Sequence, residues 1–193
     1  MEKQARISIE LLFILFYNKC IKRSNEILFD DEKGYFVNFK DGDFVERNLS
    51  IDTVFAAIFK IADMERSSRV LDAMERLLET RNNQDIGADF GVACVYPPYE
   101  RLTGASHRSA RRFNYHNGAN WPYLSAMYAY AKMLYGKEYK YALTSWFSYN
   151  CERGYYTPVE YYTPYYETGS CLQAWSGVCA FVFDQTGKKS FFD

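Results

Sequence analysis

The chain is 193 residues long, enough for one domain with a sizeable core, and its 23 Lys and Arg nearly balance 24 Asp and Glu for a net charge of −1. That balance excludes a charge-driven surface for nucleic acid or anionic membrane, and 48% hydrophobic residues exclude general disorder. The figure far from ordinary is 19% aromatic residues, with 18 Tyr, side chains whose flat apolar face and polar tip suit a core beside a wet cleft.

Helical periodicity dominates along the chain. Residues 4–23 read as a helix that is apolar over most of its circumference, as a helix packed on several neighbours would be. Its unbroken apolar core, Leu11 to Tyr17, is too short to span a bilayer, and no small-residue cleavage site follows. The spacing therefore predicts a buried helix. Gly34 and Gly42 break the pattern, with a short strand expected over Tyr35 to Phe39 and a β-hairpin near 35–46. Ser50 is the expected N-cap of "IDTVFAAIFKIA", and Asp63 that of the next helix, in which Val70, Leu71, Met74, Leu77 and Leu78 make one stripe. Residues 81–119 have no sustained period, and their aromatics argue for a functional loop. Trp121, Leu124, Tyr128, Ala131 and Tyr135 then mark a helix face ending at Gly136, with Asn120 expected to cap it and Pro122 in its first turn. Lys132 and Lys137 to Lys140 read as a solvated face. A second helix ends at Gly154, a tyrosine-dense loop covers 155–170, and "CLQAWSGVCAFVF" closes with a helix. Helix pairs with elaborate loops describe an all-α stack of αα-hairpins.

Five cysteines, an odd number with no C-x-x-C, predict reduced thiols in a cytoplasm, and two histidines leave no metal site and no sign of a cofactor. "DFG" at Asp89–Gly91 stands without the other kinase signatures, and no Walker loop or dinucleotide fingerprint occurs.

Two stretches carry chemistry. In "GYYTPVEYYTPYYETGS", Glu160 has five tyrosines within five residues: Tyr155, Tyr156, Tyr161, Tyr162 and Tyr165. A carboxylate there is partly desolvated and hydroxyl-supported, a workable general base for activating water; the competing reading is a surface Glu on an aromatic loop. Glu167, near Gly169 and Ser170, reads as a solvated turn carboxylate. In "RRFNYHNGANWPY", hydrogen-bonding groups surround His116 beside an indole at a helix mouth. Such an indole can stack on a pyranose, whereas the competing reading makes Trp121 a core residue.

Together, "YHNGANWPYLSAMYAYAKMLYG", "GYYTPVEYYTP" and "LQAWSGVCAFV" resemble the C-terminal half of six-hairpin glycosidases. The likeness is greatest to the inverting clan of processing α-glucosidase I and the mannosylglycerate and glucosylglycerate hydrolases. Debranching α-1,6-glucosidases and neutral invertases share related segments. The resemblance implies a single domain over 1–193, about half of an (α/α)6 toroid. It implies Glu160 as general base, with Tyr115, His116, Asn117, Trp121, Tyr161, Gln173 and Trp175 as the sugar subsite. It implies a carbohydrate substrate and inverting hydrolysis of an α-glycosidic bond, which needs a second carboxyl group as acid. In the resembling enzymes that acid stands on the earlier half of the toroid. No segment here matches its surroundings, though Asp89 and Glu152 are possible substitutes. The expectation is a fragment, one piece of a split enzyme, or half of a pair in which a second polypeptide or a second copy closes the ring. The rivals are a non-catalytic sugar-binding or regulatory module and a plain helical scaffold.

Overall fold

A computed structural model describes residues 2–100, 109–171 and 173–186. The part of the irregular region at 101–108, and Leu172 in the last motif, lie outside the described residues.

Helix α1 (Glu2–Leu28) runs longer than its periodicity suggested. It stops at a tight turn in which Asp30 Oδ1 accepts the N–H groups of Glu32 and Lys33, both at 3.1 Å. The turn pairs β1 (Phe29–Asp30) with β2 (Tyr35–Phe36). The expectation of a buried helix fails over its middle. Leu11 to Tyr17 are each at least half exposed, up to 73% at Phe13. A pattern apolar all round needs partners on every side, and over Leu11 to Tyr17 the body does not supply them; further along the helix it does. Tyr17 OH donates to the Phe59 carbonyl at 3.2 Å and Asn25 Nδ2 to that of Ile61 at 2.7 Å.

The predicted hairpin forms from β3 (Phe39–Asp41) and β4 (Phe44–Glu46) around Gly42. Strand β5 (Leu49–Ser50) pairs with β6 (Val95–Tyr96), drawing the irregular region onto the core. Ser50 makes no side-chain cap; it precedes a 3-10 turn at Ile51–Thr53, and α2 (Val54–Ile58) is short. The chain closes there because Lys60 turns left-handed at φ 56° while the N–H groups of Ile61 and Ala62 both reach the Ala56 carbonyl.

Helix α3 (Met64–Leu77) forms as expected, with Asp63 accepting from Arg66 N at 2.8 Å. Its Val70, Leu71 and Met74, with Leu78 just beyond, are wholly buried, each side chain contributing roughly 1.5–3 kcal/mol by leaving water. Helix α4 (Pro122–Leu134) packs on α2, on α5 (Lys140–Glu152) and on α6 (Gly177–Thr186). Pro122 takes the first helical position, but the N-cap residue is Trp121. Asn120 does not cap. Its backbone is paired elsewhere and its Oδ1 accepts from Ser125 Oγ at 3.1 Å.

Lys132 corrects a second expectation, because it is fully buried rather than solvated. Its Nζ lies 2.6 Å from Glu79 Oε1, also fully buried, and 2.9 Å from Glu75 Oε2. Tyr128 OH donates to the same Glu79 oxygen at 3.2 Å and Arg81 to the other at 2.8 Å. This network fastens the end of α3 to the middle of α4. Burial and the Glu79 charge push the Tyr128 hydroxyl well above its ordinary pKa, so it stays a donor. Lys137 pairs with Asp72 at the surface at 2.5 Å.

Candidate active site

Two irregular segments meet at the open end of α4. In the first, Phe113 and Tyr115 stand left-handed at φ 58° and 46°, an uncommon state for bulky residues that costs roughly 1–3 kcal/mol each and persists only where neighbours hold it. They flank Asn114, which bridges back to Asn117. Asn117 is 1% exposed, and its amide is spent on one backbone: Oδ1 accepts from Tyr99 N at 2.6 Å and Nδ2 donates to Tyr99 O at 3.3 Å.

The second segment folds on itself as a hairpin. Glu160 N donates to Ser170 O at 2.8 Å, Gly169 N to Tyr161 O at 2.9 Å and Thr163 N to Glu167 O at 3.0 Å. Asn120 and Tyr162 then exchange two backbone hydrogen bonds, both 2.9 Å. That pair joins the histidine loop to the glutamate hairpin as one unit.

An aromatic cluster grows over this junction. The imidazole of His116 lies flat on the Trp121 indole, 4.9 Å between centroids and 2° between planes. Tyr115 and Tyr161 close in at 5.3 and 5.4 Å from the indole, and Trp121 Nε1 donates to Tyr115 O at 3.2 Å. Trp121 is thereby 5% exposed, so an imidazole rather than a pyranose occupies its face. The exposed groups are His116, at the edge of the cluster, and Trp175, 49% exposed and 6.3 Å from Tyr123, which itself meets Trp121 edge-on. Partial burial lowers the pKa of His116, offset in part by the nearby Glu160 carboxylate. A histidine lowered in this way is neutral at pH 7, able to donate from one ring nitrogen and accept at the other.

Glu160 is half-buried. Its Oε2 accepts the backbone N–H of Ser170 at 3.2 Å, so main chain contributes to the hold expected from phenol hydroxyls. Gly169 is pressed against it: a Cβ there would stand 2.6 Å from Glu160 Oε2 and 2.7 Å from Tyr161 Cδ1. We expect Gly169→Ala to displace the carboxylate while costing about 1–3 kcal/mol of stability, as overpacking does; a His116 titration indistinguishable from wild type by NMR would contradict this.

Glu167 is exposed, as expected of a turn carboxylate, its side chain 47% accessible, but it is also held by partners from the other loop. It accepts from Asn114 Nδ2 at 2.6 Å and from Arg111 Nη1 at 3.3 Å. No local pattern announces this, because the partners are 53 and 56 residues away. Gln173 and Trp175 face different ways, as their spacing implied. Gln173 joins Trp146, Pro158, Ser176 and Phe183 around a recess of about 400 Å³. Asp89 and Glu152 come together in another recess of about 340 Å³, with Tyr141, Ser145 and Tyr149, which Glu160 does not line. Tyr141 OH donates to Asp89 there. Among the described residues no cluster of three or more His, Cys, Asp or Glu could hold a metal, and no helix is long and apolar enough to cross a membrane. Cys94 and Cys179 are buried, their thiols pushed up to about 12 by desolvation, and are inert.

Helical hairpins with irregular loops at one end are an arrangement that a solved structure shares. The GH63 mannosylglycerate hydrolase from Thermus thermophilus, solved in complex with glucose, matches 82% of this chain with a TM-score of 0.58 and 17% identity. The chain spans 35% of that protein's length, and the likeness supports a partial helical toroid. Residues 14–170 match glycoside hydrolase family 100, alkaline and neutral invertase, and the chain belongs to that family. No curated protein matches it.

Proposed function

We propose that the chain carries the base side of a glycosidase site that hydrolyses an α-glycosidic bond with inversion. Glu160 takes a proton from water as the water oxygen bonds to the anomeric carbon, and a second carboxylic acid, about 6.5–9.5 Å away, protonates the departing oxygen. The observation that carries this reading is the Asn120–Tyr162 backbone pair, which holds the Glu160 hairpin and the His116 loop together. His116 and Trp175 would touch the sugar, with Tyr115, Asn117, Trp121 and Tyr161 holding them in place and Gln173 bordering the adjoining recess.

The acid would come from outside these residues, on a further part of the polypeptide, a second polypeptide or a second copy that closes the ring. The uncovered apolar surface of Leu11–Tyr17 supports this. Because Asp89 and Glu152 line a recess that Glu160 does not, the chain alone would bind sugar and turn it over very weakly.

Isothermal titration with sucrose, kojibiose, glucosylglycerate, mannosylglycerate and a maltooligosaccharide tests the sugar site. At least one should bind saturably, and His116→Ala should weaken it about tenfold, the loss of one hydrogen bond to a partly buried group. Absence of binding across the panel would sink the sugar reading.

A further inference from the structure

The two site loops carry no regular secondary structure, so specific ties must set the spacing of His116 and Glu160. The Asn120–Tyr162 backbone pair is one tie. The other is a side-chain latch at the rim. Glu167 Oε2 accepts from Asn114 Nδ2 at 2.6 Å, its Oε1 accepts from Arg111 Nη1 at 3.3 Å, and the Arg111 guanidinium lies 3.4 Å over the Tyr165 ring. We propose that Glu167 is a positioning residue that holds the 111–117 loop, and with it His116, against the hairpin that bears Glu160.

Three further features argue for it. Asn114 stands between the two left-handed residues, Phe113 and Tyr115, where strained backbone needs an external hold. Asn114 is 5% exposed, so the amide end of its bond to Glu167 is shielded from water. Glu167 is itself fixed, since its N–H donates to Thr163 Oγ1 at 3.1 Å and its carbonyl accepts from Thr163 N at 3.0 Å. Its side chain is nonetheless 47% exposed, as is 52% of that of Arg111. A pair so exposed adds little to global stability. The latch can therefore be removed from a folded protein, as a structural support could not.

The test compares Glu167→Ala and Glu167→Gln with wild type in thermal unfolding, hydrogen exchange at 111–117, and the NMR titration of His116, which Glu160 faces. Glu167→Ala should leave the unfolding midpoint within a few degrees. It should speed exchange over 111–117 about tenfold, and move the His116 titration up toward its ordinary value as the ring becomes hydrated. Glu167→Gln, which still accepts from Asn114, should restore most of both. Unchanged exchange and titration in Glu167→Ala would overturn the proposal. So would a general loss of protection with a collapsed midpoint, because Glu167 would then support the fold rather than the site.

The effect on sugar rests on the proposed active-site reading: affinity for a bound panel sugar should fall about tenfold in Glu167→Ala. If wild type binds no sugar, that reading fails, while exchange and titration still decide the latch.

Discussion

Lys132→Ala is expected to lower stability by about 3–5 kcal/mol, the cost of leaving a buried carboxylate without its counter-ion. The reason is burial on both sides: the Lys132 and Glu79 side chains are each 0% exposed with 2.6 Å between Nζ and Oε1. Arg81 still pairs with the other Glu79 oxygen, which places the loss toward the low end of that range. For a domain of this size each kcal/mol moves the unfolding midpoint by about 2–4 °C, so thermal unfolding should show a drop of roughly 6–20 °C. Replacing both partners, as in Lys132→Met with Glu79→Leu, should recover much of the loss, since a buried pair is seldom more stable than apolar residues of its volume. A single-mutant drop below about 2 °C would mean that the pair is not buried in solution.

The largest functional effect is expected at Glu160. Glu160→Gln keeps the size of the side chain and an acceptor for Ser170 N but cannot take a proton at neutral pH. Loss of general-base catalysis typically removes 10²–10⁴-fold, about 3–5.5 kcal/mol of barrier at 1.36 kcal/mol per decade. Sugar affinity should hardly change, because the proton moves only as the bond to water forms. Turnover lost with binding retained would mark Glu160 as a base; turnover and affinity lost in parallel would make it a sugar contact.

What could be read from the residues follows their range of action. Asp63 acts on Arg66 three positions on, Val70, Leu71 and Met74 fall within four positions of one another, and that helix formed as expected. Pro122 and Gly136 likewise bounded α4 correctly, through constraints internal to one turn. Lys132 misled because a lysine in a helical pattern reads as solvent-facing, while its partner Glu79 is 53 residues earlier. Glu167 is the exposed turn carboxylate its neighbours imply; what its sequence hides is the tie to Asn114, 53 residues earlier. Trp121 was rightly placed at the helix mouth, but its orientation depends on His116 and Tyr161 closing over it, which only the folded chain displays. Helix α1 was legible as a helix; which of its faces meet a neighbour was not, since its apolar residues run round the whole cylinder. The aromatic and carboxylate loops were found through their composition, and their meeting through Asn120 and Tyr162 was invisible because backbone pairing carries no residue signature.

The most direct test of the central claim separates the base from the acid. A glycosyl fluoride departs without protonation, so a chain that holds only the base side should cleave it while scarcely touching sugars with an alkoxide leaving group. α-D-Glucosyl fluoride followed by proton NMR should yield β-glucose first, at a rate that falls at least a hundredfold in Glu160→Gln, in line with the loss of a general base. Hydrolysis no faster than in that variant, or α-glucose as the first product, would contradict the assignment of Glu160 as an inverting base.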